Sequence, residues 1–294
     1  MIMSAVAVVL AGGLSRRYGS DKLAAEVDGR PLLEWAIAGL HTEREVIIVG
    51  PVRPGTSTSP VRIRFVADDH PDGGPAAAMI TGLRAALDTT AELILVLPGD
   101  APAAGTAAEA LAAELVRRPD APGLLAVDRS GREQPLQLAL RRPAAEHLVR
   151  EAGPDGAAGR SARRLVAPLD LPRHELDRAA TWDIDTERQH RAWALRDGAA
   201  VRAVRDLIKE RAPAAVILVG PDRDQVDALA DAVELAGDER PTADAEEAEE
   251  AEGRFTRTLP VPPPHRSAAL HVEIGPGPVP DDLELIYARF GMRK

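Results

Sequence analysis

Residues 5–22, A-V-A-V-V-L-A-G-G-L-S-R-R-Y-G-S-D-K, constrain the fold more than any other stretch. Ala5 to Ala11 is a short apolar run rich in Val, which reads as a buried strand. It runs straight into Gly12-Gly13 and a polar loop carrying Arg16, Arg17 and Lys22. Glycines let the backbone turn tightly and bring its N–H groups close to a ligand, with no Cβ in the way. Arginines and a lysine on the same loop add charge-assisted hydrogen bonds. A polyphosphate suits such a loop. The competing reading is an ordinary strand-to-helix turn with solvated charges. No Gly-Lys-Ser/Thr follows the glycines, so this is not a P-loop, and the G-x-G-x-x-G dinucleotide fingerprint is missing too.

The following residues alternate between strand and helix patterns. Pro31 to Leu40 is expected to be a helix, opened by proline, with Leu33, Ala36, Ile37 and Leu40 on one face. Glu45–Gly50 and Arg62–Asp68 read as strands, and the chain then turns at Gly74-Pro75 into a helix ending near Leu87. Leu93–Asp100 is a strand closing on Pro-Gly-Asp, followed by an Ala-rich helix over Ala103–Arg118. Two more strands, Gly123–Arg129 and Gln134–Arg141, precede short helices at Ala144–Glu151 and Ser161–Val166. Thr181–Asp185 reads as a strand and Glu187–Leu195 as a helix. This alternation predicts an α/β fold, an open and mostly parallel sheet with helices on both faces. Ligands of such sheets lie beyond the carboxyl ends of the strands. Gly12-Gly13, Asp68, Gly74-Pro75 and Asp100 all fall just past a strand's end.

The first loop also matches, position for position, the pattern L-A-G-G-x-S-x-R-x-G-x-D-K, through Leu10, Ala11, Gly12, Gly13, Ser15, Arg17, Gly19, Asp21 and Lys22. The chain thereby resembles the molybdenum cofactor guanylyltransferases, the MobA-like nucleotidyltransferases. The resemblance implies a Rossmann-like sheet and transfer of GMP from GTP to a phosphorylated pterin acceptor, molybdopterin, with Mg²⁺ as cofactor. It implies a nucleotide site formed by Leu10, Ala11, Gly12, Gly13, Ser15, Arg17, Lys22, Asp68, Gly74, Pro75 and Asp100. Lys22, Arg17 and Asp100 would be the catalytic groups. Relatives that use CTP typically read L-A-A-G, with Ala at the position of Gly12, so L-A-G-G favours guanine. The other readings are a cytidylyltransferase or sugar-phosphate nucleotidyltransferase of the same fold, or a non-catalytic nucleotide-binding delivery or regulatory protein.

Several residues keep two roles at this level. Asp100 ends a strand, where a carboxylate can hold Mg²⁺ as the matching family Asp does, or cap the helix that follows. Asp183 and Asp185 alternate on the Trp182-Asp-Ile-Asp-Thr186 stretch and so point to one side. Asp185 is then a second metal residue or a helix cap. Asp68 is a nucleoside contact or a solvated loop carboxylate. Gly74-Pro75-Ala76-Ala77-Ala78 resembles the family's G-P-L-A-G turn, with Ala78 for the last glycine. Arg132–Leu136 and Gly159–Arg164 match stretches lining the family's acceptor side. Arg160, Arg163 and Arg164 would there bind the pterin phosphate, or else form the solvated face of a short helix.

The resemblance covers about residues 1–197. Residues 198–294 look like a small C-terminal α/β extension of unknown role. Its pattern gives a helix over Val201–Glu210, a strand at Ala214–Gly220 and a helix after Pro221. An acidic low-complexity segment follows at 238–253, expected to be a disordered linker or a solvated helix. A strand at Ala268–Ile274 and a helix at Asp281–Phe290 end the chain.

Composition excludes much else. There are no cysteines, hence no disulfide, thiolate metal site or Cys nucleophile, and the seven histidines show no zinc spacing. A net charge of −10 argues against general nucleic-acid binding. The start of the chain lacks a signal pattern and no apolar run is long enough to span a membrane, so a cytoplasmic location is expected. A molybdoenzyme or another protein of the cofactor pathway would be its protein partner.

Overall fold

The computed structural model describes residues 4–13, 21–27, 29–41, 44–53, 62–197, 201–202, 204–206, 208, 215–220, 223–236, 249–251, 254–259, 269–273 and 288–291. The chain divides into two compact units, Met1–Asp185 and Thr186–Lys294.

In the first unit the elements follow in order: β1 (Ala5–Leu10), a small ribbon of β2 (Glu26–Val27) and β3 (Arg30–Pro31), α1 (Leu32–Ala38), β4 (Glu45–Val49), β5 (Arg62–Val66), α2 (Pro75–Leu87), β6 (Leu93–Pro98), α3 (Ala104–Arg117), β7 (Gly123–Val127), β8 (Glu133–Arg141), α4 (Arg142–Ala152), α5 (Ala162–Val166) and β9 (Arg173–Glu175). Seven of these strands form one sheet in the order β5-β4-β1-β6-β8-β7-β9. β1 pairs in parallel with β4 on one side and β6 on the other, and β4 pairs in parallel with β5. β8 runs antiparallel to β6 and β7, and β9 returns parallel to β7. The expected mostly parallel α/β sheet is present. The chain leaves β1 toward one edge and later crosses to its other side at β6. The strand order therefore reverses at the carboxyl end of β1, where such sheets open a crevice.

Burial follows from that topology. Val6, Ala7, Val8 and Val9 are covered on both faces of the sheet, so the strand shows an unbroken apolar run rather than alternation. On one face Val6, Val8, Ile47, Val49, Ile94 and Val96 pack with Met79, Ile80 and Leu83 of α2 and Leu148 of α4. α1 and α3 pack against each other, and α3 also packs on β6 and β8. With only 3% aromatic residues, close approach of small side chains fills this core. A Cβ on Gly82 of α2 would lie 2.2 Å from Val8 Cγ1, so the helix rests directly on the sheet.

The second unit contains α6 (Glu187–Leu195), β10 (Ala215–Gly220), α7 (Arg223–Leu235), β11 (Glu249–Ala251), β12 (Arg254–Leu259), β13 (Ala269–Glu273) and β14 (Ala288–Gly291). Its five strands are ordered β11-β12-β10-β13-β14, with only β10 and β13 parallel. α7 packs on β12, β10 and α6. Inside this packing, the Arg257 guanidinium is 3% exposed and meets Asp227 at 3.2 Å and Asp231 at 2.6 Å.

Four expectations change. Thr181–Asp185 is not a sheet strand: a 3-10 turn spans Ala179–Thr181 and residues 182–185 run extended beside the sheet. Arg173–Glu175 is a strand that sequence reading passed over; it is only three residues long and polar. In the acidic segment, Glu249–Ala251 pairs antiparallel with β12 at the edge of the second sheet, where backbone hydrogen bonding does not depend on an apolar pattern. The helix expected over Asp281–Phe290 lies mostly outside the described residues, and Ala288–Gly291 is a strand paired with β13. The expected Val201–Glu210 helix is helical where described. Among the described residues no helix is long and apolar enough to cross a membrane.

Candidate active site

The end of β1 is held from both sides. Ala11 N–H donates to Val49 O at 2.8 Å and Gly99 N–H donates to Leu10 O at 3.0 Å. Gly50, at φ +144°, passes so close that a Cβ there would stand 2.6 Å from Ala11 O. Only glycine fits that backbone and that space. The chain then enters Gly12 and Gly13 beside a cavity of about 410 Å³.

Of the residues singled out from sequence, Leu10, Gly12, Gly13 and Lys22 line this cavity. So do Asp68, Gly74, Pro75 and Asp100, arriving from two other strand ends, those of β5 and β6. Ala11 is fully buried beneath it. Ser15 and Arg17, with Arg16, lie outside the described residues.

Lys22 is 9% exposed, and its Nζ lies 2.7 Å from Asp100 Oδ2 and 2.8 Å from Asp185 Oδ1. Burial pulls its ammonium pKa down, but the two carboxylates outweigh burial and raise it above the usual lysine value. Lys22 is therefore charged across the neutral range. Asp183 shows the opposite pressure. Partial desolvation of this otherwise exposed residue, then the charges of Asp100 and Asp185, push its carboxyl above the usual range.

The capping alternatives are answered by local geometry. α3 starts at Ala104 with Ala103 at its N-cap and no side-chain cap, so Asp100 does not serve it. Thr186 caps α6 through a capping box with Gln189, which leaves the Asp185 carboxylate for Lys22. Asp68 is held rather than loose: its Oδ1 accepts from His70 N–H at 3.0 Å and from Thr81 Oγ1 at 3.3 Å. Its Oδ2 lies 3.7 Å from where a Gly12 Cβ would be. Ala78 sits inside α2, where the backbone is helical, so the family's closing glycine is not needed for the turn; Gly74 takes the positive φ instead, at +80°.

Of the two stretches expected on the acceptor side, only Leu136 lines the cavity. Gly159 N–H donates to Gly73 O at 2.9 Å, beside Pro71, Asp72 and Gly74 on the wall. Arg160 and Arg164 are exposed. Arg163 is exposed as well and pairs with Glu133 at 2.8 Å. Sequence reasoning missed Thr81 and Arg53. Arg53 is 8% exposed and donates from Nε to Asp21 at 2.8 Å and from Nη1 to Ala11 O at 2.9 Å. Its position three residues past the end-of-strand Gly50 was the signal available.

Among the described residues no three His, Cys, Asp or Glu side chains converge as a ready-made metal cage. Asp100 and Asp185 nevertheless present the hard oxygens that Mg²⁺ prefers, and Mg²⁺ is commonly held by one or two carboxylates together with substrate phosphates. The donor set fits that ion.

The model of the MobA-like NTP transferase domain matches residues 7–176. The chain belongs to this family. Its first unit holds the whole of the matched MobA-like domain. It is 35% identical over 138 residues to a molybdenum cofactor guanylyltransferase of Shewanella halifaxensis (strain HAW-EB4), covering 46% of this chain and 66% of that protein. It is 36% identical over 101 residues to a probable molybdenum cofactor guanylyltransferase of Haloferax mediterranei, covering 32% of this chain and 47% of that protein. The chain thus spans less than two thirds of either relative. The crystal structure of molybdopterin-guanine dinucleotide biosynthesis protein A from Archaeoglobus fulgidus aligns with a TM-score of 0.44 at 20% identity, over 62% of this chain and 93% of that one.

Proposed function

We propose that this MobA-like chain is a Mg²⁺-dependent nucleotidyltransferase that moves GMP from GTP to the phosphate of a molybdopterin-type acceptor and releases pyrophosphate. One observation carries the reading. Lys22 joins Asp100 and Asp185 within 2.8 Å, at the wall of a cavity that the glycine-rich turn also lines.

An oxygen of the acceptor's phosphomonoester attacks the α-phosphorus of GTP. The new O–P bond forms as the bond to the β-phosphate oxygen breaks, and its electron pair leaves with pyrophosphate. The attacking phosphate has a second pKa near 6, so it is mostly dianionic at neutral pH and needs no general base. This suits a site without Cys or a catalytic His pair. Gly12 and Gly13 let the backbone approach the phosphates. Lys22 and Arg17 stabilise charge on the β- and γ-phosphates, and Asp68, Gly74 and Pro75 shape the nucleoside end. Mg²⁺ held by Asp100 and Asp185 would supply further charge stabilisation at the transferring phosphate. The protein's main contribution is alignment in a fixed electrostatic frame.

Pyrophosphate release measured with each of the four NTPs, with and without molybdopterin, tests the reading. The expected result is release that needs GTP, Mg²⁺ and molybdopterin together. Release with CTP alone among the nucleotides, or with a sugar phosphate in place of the pterin, would redirect it within the fold. Tight GTP binding without turnover on any acceptor would replace it with a delivery or regulatory protein.

A further inference from the structure

We infer that Arg53 is a positioning residue that closes the glycine-rich loop by clamping both of its ends. The loop leaves the sheet at Ala11 and returns at Asp21, immediately before Lys22. One guanidinium reaches both points. Its Nε donates to Asp21 Oδ2 at 2.8 Å and its Nη1 donates to Ala11 O at 2.9 Å, with a longer bond to Pro51 O at 3.5 Å. The other Asp21 oxygen accepts from Leu23 N–H at 3.2 Å, and Asp21 O accepts from Ala24 N–H at 3.1 Å. Asp21 is thus fixed on the side that leads into Lys22 as well as on the side that faces Arg53.

Arg53 is not among the residues that line the cavity. Its effect passes through backbone and through Asp21. Bringing the ends of a loop together costs entropy that grows with its length, and a clamp removes that cost before the ligand arrives. The geometry also demands arginine. A planar fork can donate in two fixed directions at once, whereas a lysine ammonium is a point charge that would satisfy Asp21 and leave Ala11 O unmet. The Asp of the Asp21-Lys22 pair, to which the sequence alone gives no role, becomes the loop's latch.

For its effect on activity this inference rests on the nucleotide-transfer reading, so the test has two separate readouts. Hydrogen exchange of residues 11–24 is compared in wild type, Arg53→Lys and Asp21→Asn, alongside KM for GTP and kcat. Arg53→Lys keeps the charge, and Asp21→Asn keeps the Arg53–Ala11 bond, so both variants should fold. The expected result is exchange about tenfold faster in residues 11–24, the size of one lost charge-assisted hydrogen bond, with the sheet strands unchanged. KM should rise by a similar factor while kcat falls less. The double variant should exchange faster than either single variant, because Arg53→Lys gives up the bond to Ala11 O and Asp21→Asn weakens the bond at Asp21. Methylguanidinium added to Arg53→Ala should restore part of the protection. Unchanged exchange in Arg53→Lys, or acceleration spread evenly over the sheet, overturns the clamp. A wild type that binds GTP without turning it over overturns the functional reading alone, and the exchange result still decides the clamp.

Discussion

Ile184 donates its backbone N–H to the carbonyl oxygen of Asp100 at 3.0 Å, with its own side chain fully buried. That bond seats the extended 182–185 segment against the end of β6. With Ile184 turned inward, the residues on either side face outward together. Asp183 and Asp185 therefore join Asp100, although no sheet pairing holds them there.

Asp100→Asn and Asp185→Asn should each reduce turnover by roughly 10²–10³-fold, the usual range for loss of one group that stabilises developing charge. Each substitution leaves Lys22 with its other carboxylate partner, so the fold should persist. Pyrophosphate release and thermal unfolding, measured on the same samples, check both halves. A variant with near-normal turnover in Mg²⁺ would remove that carboxylate from the mechanism.

Asp183→Asn should stabilise the protein, and only above the acidic range. The folded Asp183 has a raised pKa, through desolvation and the neighbouring Asp100 and Asp185 charges. The native state therefore binds its proton more tightly than the unfolded chain does. Stability then falls as pH rises from the ordinary carboxylate value, about 3.9, through the raised value, and stays lower above it. Removing the charge should raise Tm near about pH 7 and leave it unchanged near about pH 3.5, where the carboxyl is already protonated. An equal shift at both pH values would point to packing instead.

Arg257→Met tests the second unit. Asp227 and Asp231 are 2% and 5% exposed and both meet the Arg257 guanidinium. Removing one partner of a buried ionic group costs about 3–5 kcal/mol, and Arg188, which also meets Asp231 at 3.1 Å and Asp227 at 3.8 Å, should hold the loss to the lower end of that range. Denaturant unfolding should show this loss in the transition that reports on the second unit. Replacing Arg257, Asp227 and Asp231 together with apolar residues of similar size should recover most of it, since well-packed apolar groups often match a buried ion pair.

How far the sequence could be read depended on whether the signal was local. β1, β4 and β6 were legible because buried parallel strands are continuous apolar runs, and Gly12-Gly13, Asp68 and Asp100 because ligand loops follow strand ends. Arg53 and Thr81 were not, because their partners Asp21 and Asp68 are distant in sequence; the place of Arg53 just past strand-end Gly50 hints at the site but does not show what it braces. The 182–185 segment misled for a related reason: alternating residues look like a strand whether or not a neighbour supplies hydrogen bonds. Near the C-terminus, β14 and β11 are short and charged or lie in edge positions, where side-chain pattern carries little information.

Gly12→Ala should change base preference without harming the fold. A Cβ at Gly12 would meet Asp68 Oδ2 at 3.7 Å and Val49 O at 3.9 Å, ordinary contact distances, and its backbone is not in the left-handed region. The methyl group therefore fits, but it narrows the cavity between the glycine turn and Asp68. A purine needs more of that width than a pyrimidine. KM for GTP should rise about tenfold, since one misplaced methyl group is worth roughly 1–3 kcal/mol, while use of CTP changes less. Gly50→Ala is the contrasting control: at φ +144° and 2.6 Å from Ala11 O it should lose about 1–3 kcal/mol of stability and weaken all nucleotides alike. The decisive measurement is the ratio of GTP-driven to CTP-driven pyrophosphate release. If Gly12→Ala leaves that ratio where the wild type has it, the base lies elsewhere than between Gly12 and Asp68.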